Sequence, residues 1–442
     1  MFEIGRELKR FFSPAPRRDG LCPGDPALLE LLDLNLLQNE GRSADVAAGR
    51  IGVKDRSERL VSASQVWREF ARRTGDAAAL RKAASCAEQA AGLARKEGRS
   101  EAVRRAICEQ AEVALLGADL FGENGLNAAA EFLMGQASDA FRTRGLAASL
   151  AARKAMPSGE LSEVQAAVTT FERALAGLNI KRRNEAYTAA RMRCDRAEFL
   201  TACGARLREA QLMRTALIDL DKAQAALDGA YHPLTLARVQ EVRAAALVRL
   251  GELEGDVTPI FEGVEVIGLA IDLLTPDHSP MDWARLHHSL GVALLALGDA
   301  GASEAAYDRA MQAFARALNV LNAAPTVALR TIAAQDRADC LVRRAETRGD
   351  AVALDEAEAI LRGELAALRA PPDPIVWAVL QLNLAKVYMA QVTARGRDRG
   401  ESARAAEALL AALDVFAERG LRTLADAAQS NLEALREGSR AH

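Results

Sequence analysis

The chain has 442 residues, 50% of them hydrophobic but only 4% aromatic, and a formal net charge of −3 from 57 basic and 60 acidic side chains. A core built from Ala, Leu and Val disfavours a sandwich or barrel, which draws on β-branched and aromatic residues, and favours helix. The near-balanced charge excludes a global field that would draw nucleic acid or an acidic substrate.

Residues 1–56 stand apart from the rest. A short helix, Phe2 to Phe12, sets Phe2, Ile4, Leu8, Phe11 and Phe12 among Arg6, Lys9 and Arg10, with Arg17 and Arg18 beyond it. That mixture predicts a basic interfacial helix, laid on an anionic membrane surface through residues 1–18 or into a partner groove; docking on the chain's own repeats as a cap is the third alternative. A linker with Pro and Gly, Ser13 to Pro26, and the apolar run Leu28-Leu29-Glu30-Leu31-Leu32 complete the segment.

From residue 57 to 418 a small–large–small triplet recurs with spacings of four and three: Ala83/Ala87/Ala90, Ala130/Met134/Ala137, Ala167/Phe171/Ala174, Ala216/Leu220/Ala223, Gly263/Ile267/Ala270, Ala310/Phe314/Ala317, Ala357/Leu361/Glu364 and Ala405/Leu409/Ala412. Successive first members are 47, 37, 49, 47, 47, 47 and 48 residues apart. Residues so spaced share one helix face, and a period of this size means stacked helical units that bury their apolar faces on one another. Each unit's first helix is expected to end near a glycine, namely Gly75, Gly122, Gly159, Gly204, Gly251, Gly298, Gly349 and Gly396. Pro233, Pro280, Pro325 and Pro374 fall before first helices, and Pro276 closes a second one. Longer turns are expected at Arg206 to Glu209 and Gly255 to Pro259, and residues 421–437 read as a final helix that caps the last unit.

The segment from Trp283 to Gly298, with Leu290-Gly291 and Leu294, followed by Ala310, Phe314 and Ala317, resembles a tetratricopeptide repeat. Leu384-Ala385, Tyr388 and Ala405/Leu409/Ala412 repeat the pattern after Trp377. The departure is length, since a tetratricopeptide unit has about 34 residues. The resemblance implies first helices lining a concave groove that accepts a peptide, helix or protein terminus. Carried onto matching positions it suggests Arg191, Glu198, Gln240, Arg285, His288, Leu295, Gln335, Asp339, Arg343, Lys386 and Met389 as groove residues. Their mixed polarity argues against phosphate or nucleic acid as the main ligand.

Signatures of catalysis are missing. No Gly-Lys dipeptide is present for a P-loop, no Gly-x-Ser-x-Gly for a serine nucleophile and no His-Glu-x-x-His among the five histidines. His287 and His288 are adjacent, so on a helix they diverge by about 100° and share a metal poorly. Glu356 and Glu358 read as ordinary surface charges. Cys22, Cys86, Cys108, Cys194, Cys203 and Cys340 form no Cys-x-x-Cys pair, which predicts small buried hydrophobes in a reducing compartment. No apolar run is expected to approach the roughly 18 residues of a membrane span, and no secretory signal is expected at the N-terminus.

The expectation is therefore an all-α, right-handed α-solenoid of about eight extended tetratricopeptide-like helix pairs. An N-terminal amphipathic extension and capping segment spans residues 1–56, the repeats 57–418, and a C-terminal capping helix and tail 419–442. The expected function is a non-catalytic, cytoplasmic scaffold or adaptor that binds protein partners, including at the inner face of the cytoplasmic membrane, with no cofactor, no metal and no nucleic acid. A peptide-capturing regulator or co-chaperone is the alternative, and an enzyme with an unrecognised groove site the third. High Ala content and only eight lysines are the composition of a GC-rich bacterial genome.

Overall fold

The computed structural model describes residues 26–49, 55–123, 125–135, 141–157, 160–301, 305–368 and 373–440. Phe2, Ile4, Arg6, Leu8, Lys9, Arg10, Phe11 and Phe12, and with them the amphipathic helix read from the sequence, lie outside the described residues, as do Cys22, Ala137 and Gly159.

Among the described residues the chain is all-α: a 3-10 helix, Pro26–Leu31, then eighteen α-helices and no strand. Helix α1 is Leu34–Gly49. Eight helix pairs follow: α2 (Arg56–Thr74) with α3 (Ala77–Lys96), α4 (Ser100–Phe121) with α5 (Gly125–Gly135), α6 (Phe141–Ala155) with α7 (Leu161–Ala176), and α8 (Arg183–Leu207) with α9 (Ala210–Gln224). The series continues as α10 (Pro233–Glu254) with α11 (Val257–Ile271), α12 (Pro280–Asp299) with α13 (Ala305–Leu321), α14 (Ala328–Arg348) with α15 (Ala351–Ala367), and α16 (Pro374–Arg395) with α17 (Glu401–Glu418). Helix α18 (Arg422–Arg440) covers the last pair.

Local chemistry sets these boundaries. Prolines open α10, α12 and α16, where the missing N–H costs nothing. Asp76, Asp256 and Asp350 cap the second helices α3, α11 and α15 with their carboxylates, and Asp373 caps α16. Gly75, Gly122, Gly349 and Gly396 do end first helices with positive φ. Gly204, Gly251 and Gly298 do not. Their helices run on to Leu207, Glu254 and Asp299; of the longer turns foreseen, the fourth unit's is helical at Arg206 and Leu207, and the fifth unit's is helical from Val257 onward, where α11 begins. These three glycines are needed for close approach instead: a Cβ on Gly251 would lie 2.6 Å from the Asp256 carbonyl, and one on Gly298 2.6 Å from the Tyr307 ring. The left-handed residues fall later, at Arg208, Gly255 and Gly301.

The triplets are the buried seams. Ala83, Ala90, Ala167, Ala216, Ala270, Ala310, Ala317, Ala405 and Ala412 are all buried, as are Phe171, Leu220, Ile267, Phe314 and Leu409 between them. The misfit Glu364 is buried too, and Arg330 satisfies it with two hydrogen bonds of 2.7 and 2.6 Å. Helix α1, absent from the sequence reading, covers the first pair: Leu37 meets Val66 and Phe70, and Gly41 lies so close to Trp67 that a Cβ would stand 2.7 Å from the ring.

The chain divides into two compact units, one of Met1–Ser289 with Val320–Ala328 and the other of Leu290–Asn319 with Leu329–His442. In the first unit the cores are local, each shared by neighbouring helices, as in Ala190, Leu200, Leu220 and Val239. In the second a continuous core runs from Ala338 to Leu432. It corrects one expectation, because α16 is long and apolar enough by composition to cross a membrane. Its Leu380, Leu382, Ala385 and Val387 are buried in that core beside α15 and α17, and packing on both sides explains its composition.

Candidate partner-binding faces

In the first unit the first helices of the pairs carry two runs of paired charge. Arg68 on α2 donates to Glu109 on α4 at 2.8 Å and pairs with Glu112 at 2.5 Å. Arg72, one turn on, is held by Glu69 and reaches Asp282 at the start of α12, at 2.9 and 2.7 Å. Arg285 joins Asp282 at 2.7 Å to Glu241 at 2.8 Å, and Arg238 joins Glu241 to Glu198. Burial works against ionising Asp282, but Arg72 and Arg285 outweigh it and hold its carboxyl down at about 2. Glu241 is likewise buried, and Arg285 and then Arg238 hold it below its usual range. Asp195 on α8 is exposed by surface area yet closely surrounded by protein; desolvation, against the pull of Arg191, pushes its carboxyl up to about 6.

The 3-10 helix sits against these same first helices. The Glu30 carboxylate accepts from Tyr187 Oη on α8 at 2.6 Å, from the backbone N–H groups of Leu234 and Thr235 at 2.8 and 3.0 Å, and from Thr235 Oγ1. Burial first, and then Glu30, raise the Tyr187 hydroxyl well above the ordinary phenol range, which keeps it a donor. Arg73, fully buried at the end of α2, donates to the carbonyls of Leu32 at 2.6 Å and of Leu29. His278 Nε2 lies 2.8 Å from the Glu30 carbonyl. One short segment thus touches α2, α8, α10 and the approach to α12.

The second unit differs. On its first helices, Arg343 of α14 lies 3.9 Å from Asp299 of α12 and 3.9 Å from Asp339, distances of loose pairing. Lys386 of α16 is exposed and within electrostatic reach of Asp339. Burial, opposed by Arg343 and then Lys386, leaves the Asp339 carboxyl above its usual value.

The residues suggested for a groove therefore separate into two sets. Arg191, Glu198, Gln240, Arg285 and His288 belong to the first unit, where Arg191 is exposed beside Tyr187 while Glu198 and Arg285 are bound into one of the ion-pair runs. Leu295, Gln335, Asp339, Arg343, Lys386 and Met389 belong to the second, with Gln335 and Leu295 half-buried and Met389 leaning on the core. Arg285 was expected as an exposed groove cation; two carboxylates already occupy it. Glu358, read as a surface charge, is also engaged, by Arg362, Arg404 and Gln391. His287 is buried with its ring 4.0 Å from that of Trp283. Cys86, Cys108, Cys194, Cys203 and Cys340 are buried free thiols, and no cluster of metal-ligating residues exists among the described residues. Glu30 was missed, although a single carboxylate among four leucines signals a partner elsewhere, because burying it alone is costly.

No family model matches the chain, and no curated protein matches it. Among solved structures, a Rap protein complexed with competence and sporulation factor aligns at 10% identity over 86% of this chain and 98% of its own, with a TM-score of 0.48. A monomeric mutant of IFIT1 with Gppp-AAAA aligns at 11% identity over 98% and 93%, TM-score 0.45. A signal-transduction ATPase with a tetratricopeptide repeat sensor from Pyrococcus horikoshii aligns at 14% identity over 93% and 56%, TM-score 0.46. What those proteins bind belongs to those proteins. By its own eight helix pairs and their small–large–small seams, this chain is a tetratricopeptide-like helical-repeat protein.

Proposed function

We propose that the protein is a non-catalytic adaptor that binds a protein or peptide partner through the face shared by α12, α14 and α16 in the second unit. The observation that carries this reading is the contrast in pairing. Arg72, Arg238 and Arg285 in the first unit lie within 2.9 Å of their carboxylate partners, whereas Arg343 stands 3.9 Å from its nearest carboxylates and Lys386 has no ion pair. Loosely paired charges are cheap to re-pair with a partner, and they set specificity and association rate. The mixed signs favour a polypeptide of mixed charge over nucleic acid. A cytoplasmic location, and attachment to an anionic membrane through residues 1–18, are part of the same proposal and rest on the sequence pattern alone.

The test is capture from native lysate with the tagged full chain, followed by identification of the retained protein and titration with that protein once purified. Arg343→Glu with Lys386→Glu should leave helicity and melting unchanged and weaken binding about tenfold or more. Undiminished binding by the folded double variant would move the binding face elsewhere. Attachment to membranes is read separately, by sedimentation with anionic liposomes at low and high salt.

A further inference from the structure

Every group that holds Glu30 in its socket belongs to an element other than the segment that carries it. These donors are the N-terminal N–H groups of α10, Thr235 Oγ1 and Tyr187 Oη, on two long helices that also share a core through Ala190, Leu200 and Val239. Arg73 and His278 grip the backbone of the same segment at three carbonyls, Leu29, Leu32 and Glu30. Leu29 and Leu32 are buried against Val66, with Phe70 beside them. The occupant, by contrast, is a six-residue 3-10 helix with little stability of its own. These groups read one carboxylate, three carbonyls and two leucines of a single short segment, and the Glu30 residue is only 4% exposed.

We propose that residues 26–32 are a resident ligand of this socket, and that the socket serves an incoming peptide of the same chemistry: a glutamate flanked by leucines, able to form one tight helical turn. The resident segment competes as a ligand tethered directly to helix α1, so it sets the threshold that a partner must exceed. The site lies wholly in the first unit, and the inference stands whether or not the α12–α14–α16 face binds a partner.

Two measurements test it on the full chain, with a synthetic peptide of residues 26–33 (Pro-Ala-Leu-Leu-Glu-Leu-Leu-Asp) as probe. Hydrogen exchange on the unmodified protein should show residues 28–32 losing protection as the peptide is added, while α8 and α10 keep theirs. The same peptide with Lys in place of its Glu should have no effect. In the second measurement, Glu30→Lys should bind the fluorescent peptide at least about tenfold more tightly than the wild type, because the tethered competitor is weakened. Adding Tyr187→Phe and Thr235→Val to that variant should remove the gain. If residues 28–32 stay as protected as α8 at saturating peptide, and folded Glu30→Lys binds no better than wild type, the segment is a fixed structural element and the proposal is overturned. Should Glu30→Lys fail to fold, the exchange experiment decides alone.

Discussion

Arg72 and Asp282 are 210 residues apart in sequence, yet the guanidinium of one donates to both carboxylate oxygens of the other, at 2.9 and 2.7 Å. In a linear stack of repeats each pair touches only its neighbours. Here the first helix of the first pair is fastened to the first helix of the sixth, and Gly75 lies close enough to Val327 and Met281 that a Cβ would meet both. Asp282→Asn removes the charge that two arginines share. It is expected to destabilise the first unit by about 2–4 kcal/mol, less than a wholly buried pair would lose because Arg72 and Arg285 are about a third exposed. Urea unfolding followed by far-UV circular dichroism measures this, and a loss confined to the second unit would contradict the assignment.

The same carboxylate fixes an acid limb. Asp282 ionises near 2 in the folded protein against an ordinary 3.8, so its contribution is complete above about pH 4 and is lost as pH falls toward 2. Its share at neutral pH is about 2 kcal/mol. Asp195 has the opposite sign: with its folded value near 6, the native state holds a proton that the unfolded chain has released, so stability declines as pH rises from about 4 to 6. Asp195→Asn should flatten the melting temperature over that interval, and Asp282→Asn should flatten it below pH 4.

Arg285 and Arg343 look alike in sequence and are expected to behave differently. Reversing Arg285 to Glu places a third carboxylate beside Glu241 and Asp282 and should cost about 2–4 kcal/mol. Reversing Arg343, whose pairs are 3.9 and 4.0 Å long and exposed, should change stability by no more than about 0.5 kcal/mol. Equal effects in thermal or chemical melts would erase the distinction between the two faces.

That difference marks where sequence reading ran out. The seams were legible because burying an alanine between helices leaves a periodic trace, and Ala270 and Ala317 are indeed wholly buried. Charge pairing leaves none: whether Arg285 faces solvent or two carboxylates depends on residues about 40 positions upstream and a few positions before it. The glycines illustrate the same limit. Gly75 and Gly204 occupy equivalent places in the repeat, but one ends its helix and the other admits Met213 and the Glu209 carbonyl. Helix α1 was hidden because Gly41, normally a poor helix residue, is there to let Trp67 in.

Arg208 offers the converse experiment. It closes α8 with φ of 57°, a conformation that costs a side chain about 1 kcal/mol and glycine almost nothing. Arg208→Gly should raise stability by about 1 kcal/mol, seen as a higher denaturant midpoint at unchanged slope. Replacing Ala317 or Ala270 with Leu should do the reverse, overpacking a seam by about 1–3 kcal/mol.

The link between Arg72 and Asp282 also has a meaning in time. A chain leaves the ribosome at about 5–20 residues per second, so helix α2 waits on the order of 10–40 s before its partner on α12 exists. During that interval the Arg73 grip on Leu29 and Leu32 can form within the nascent N-terminal pair, while the Glu30 socket on α8 and α10 has yet to be made. The newborn protein therefore carries the Glu30 carboxylate without its partners until more than half the chain has been synthesised, and only later can Arg72 meet Asp282.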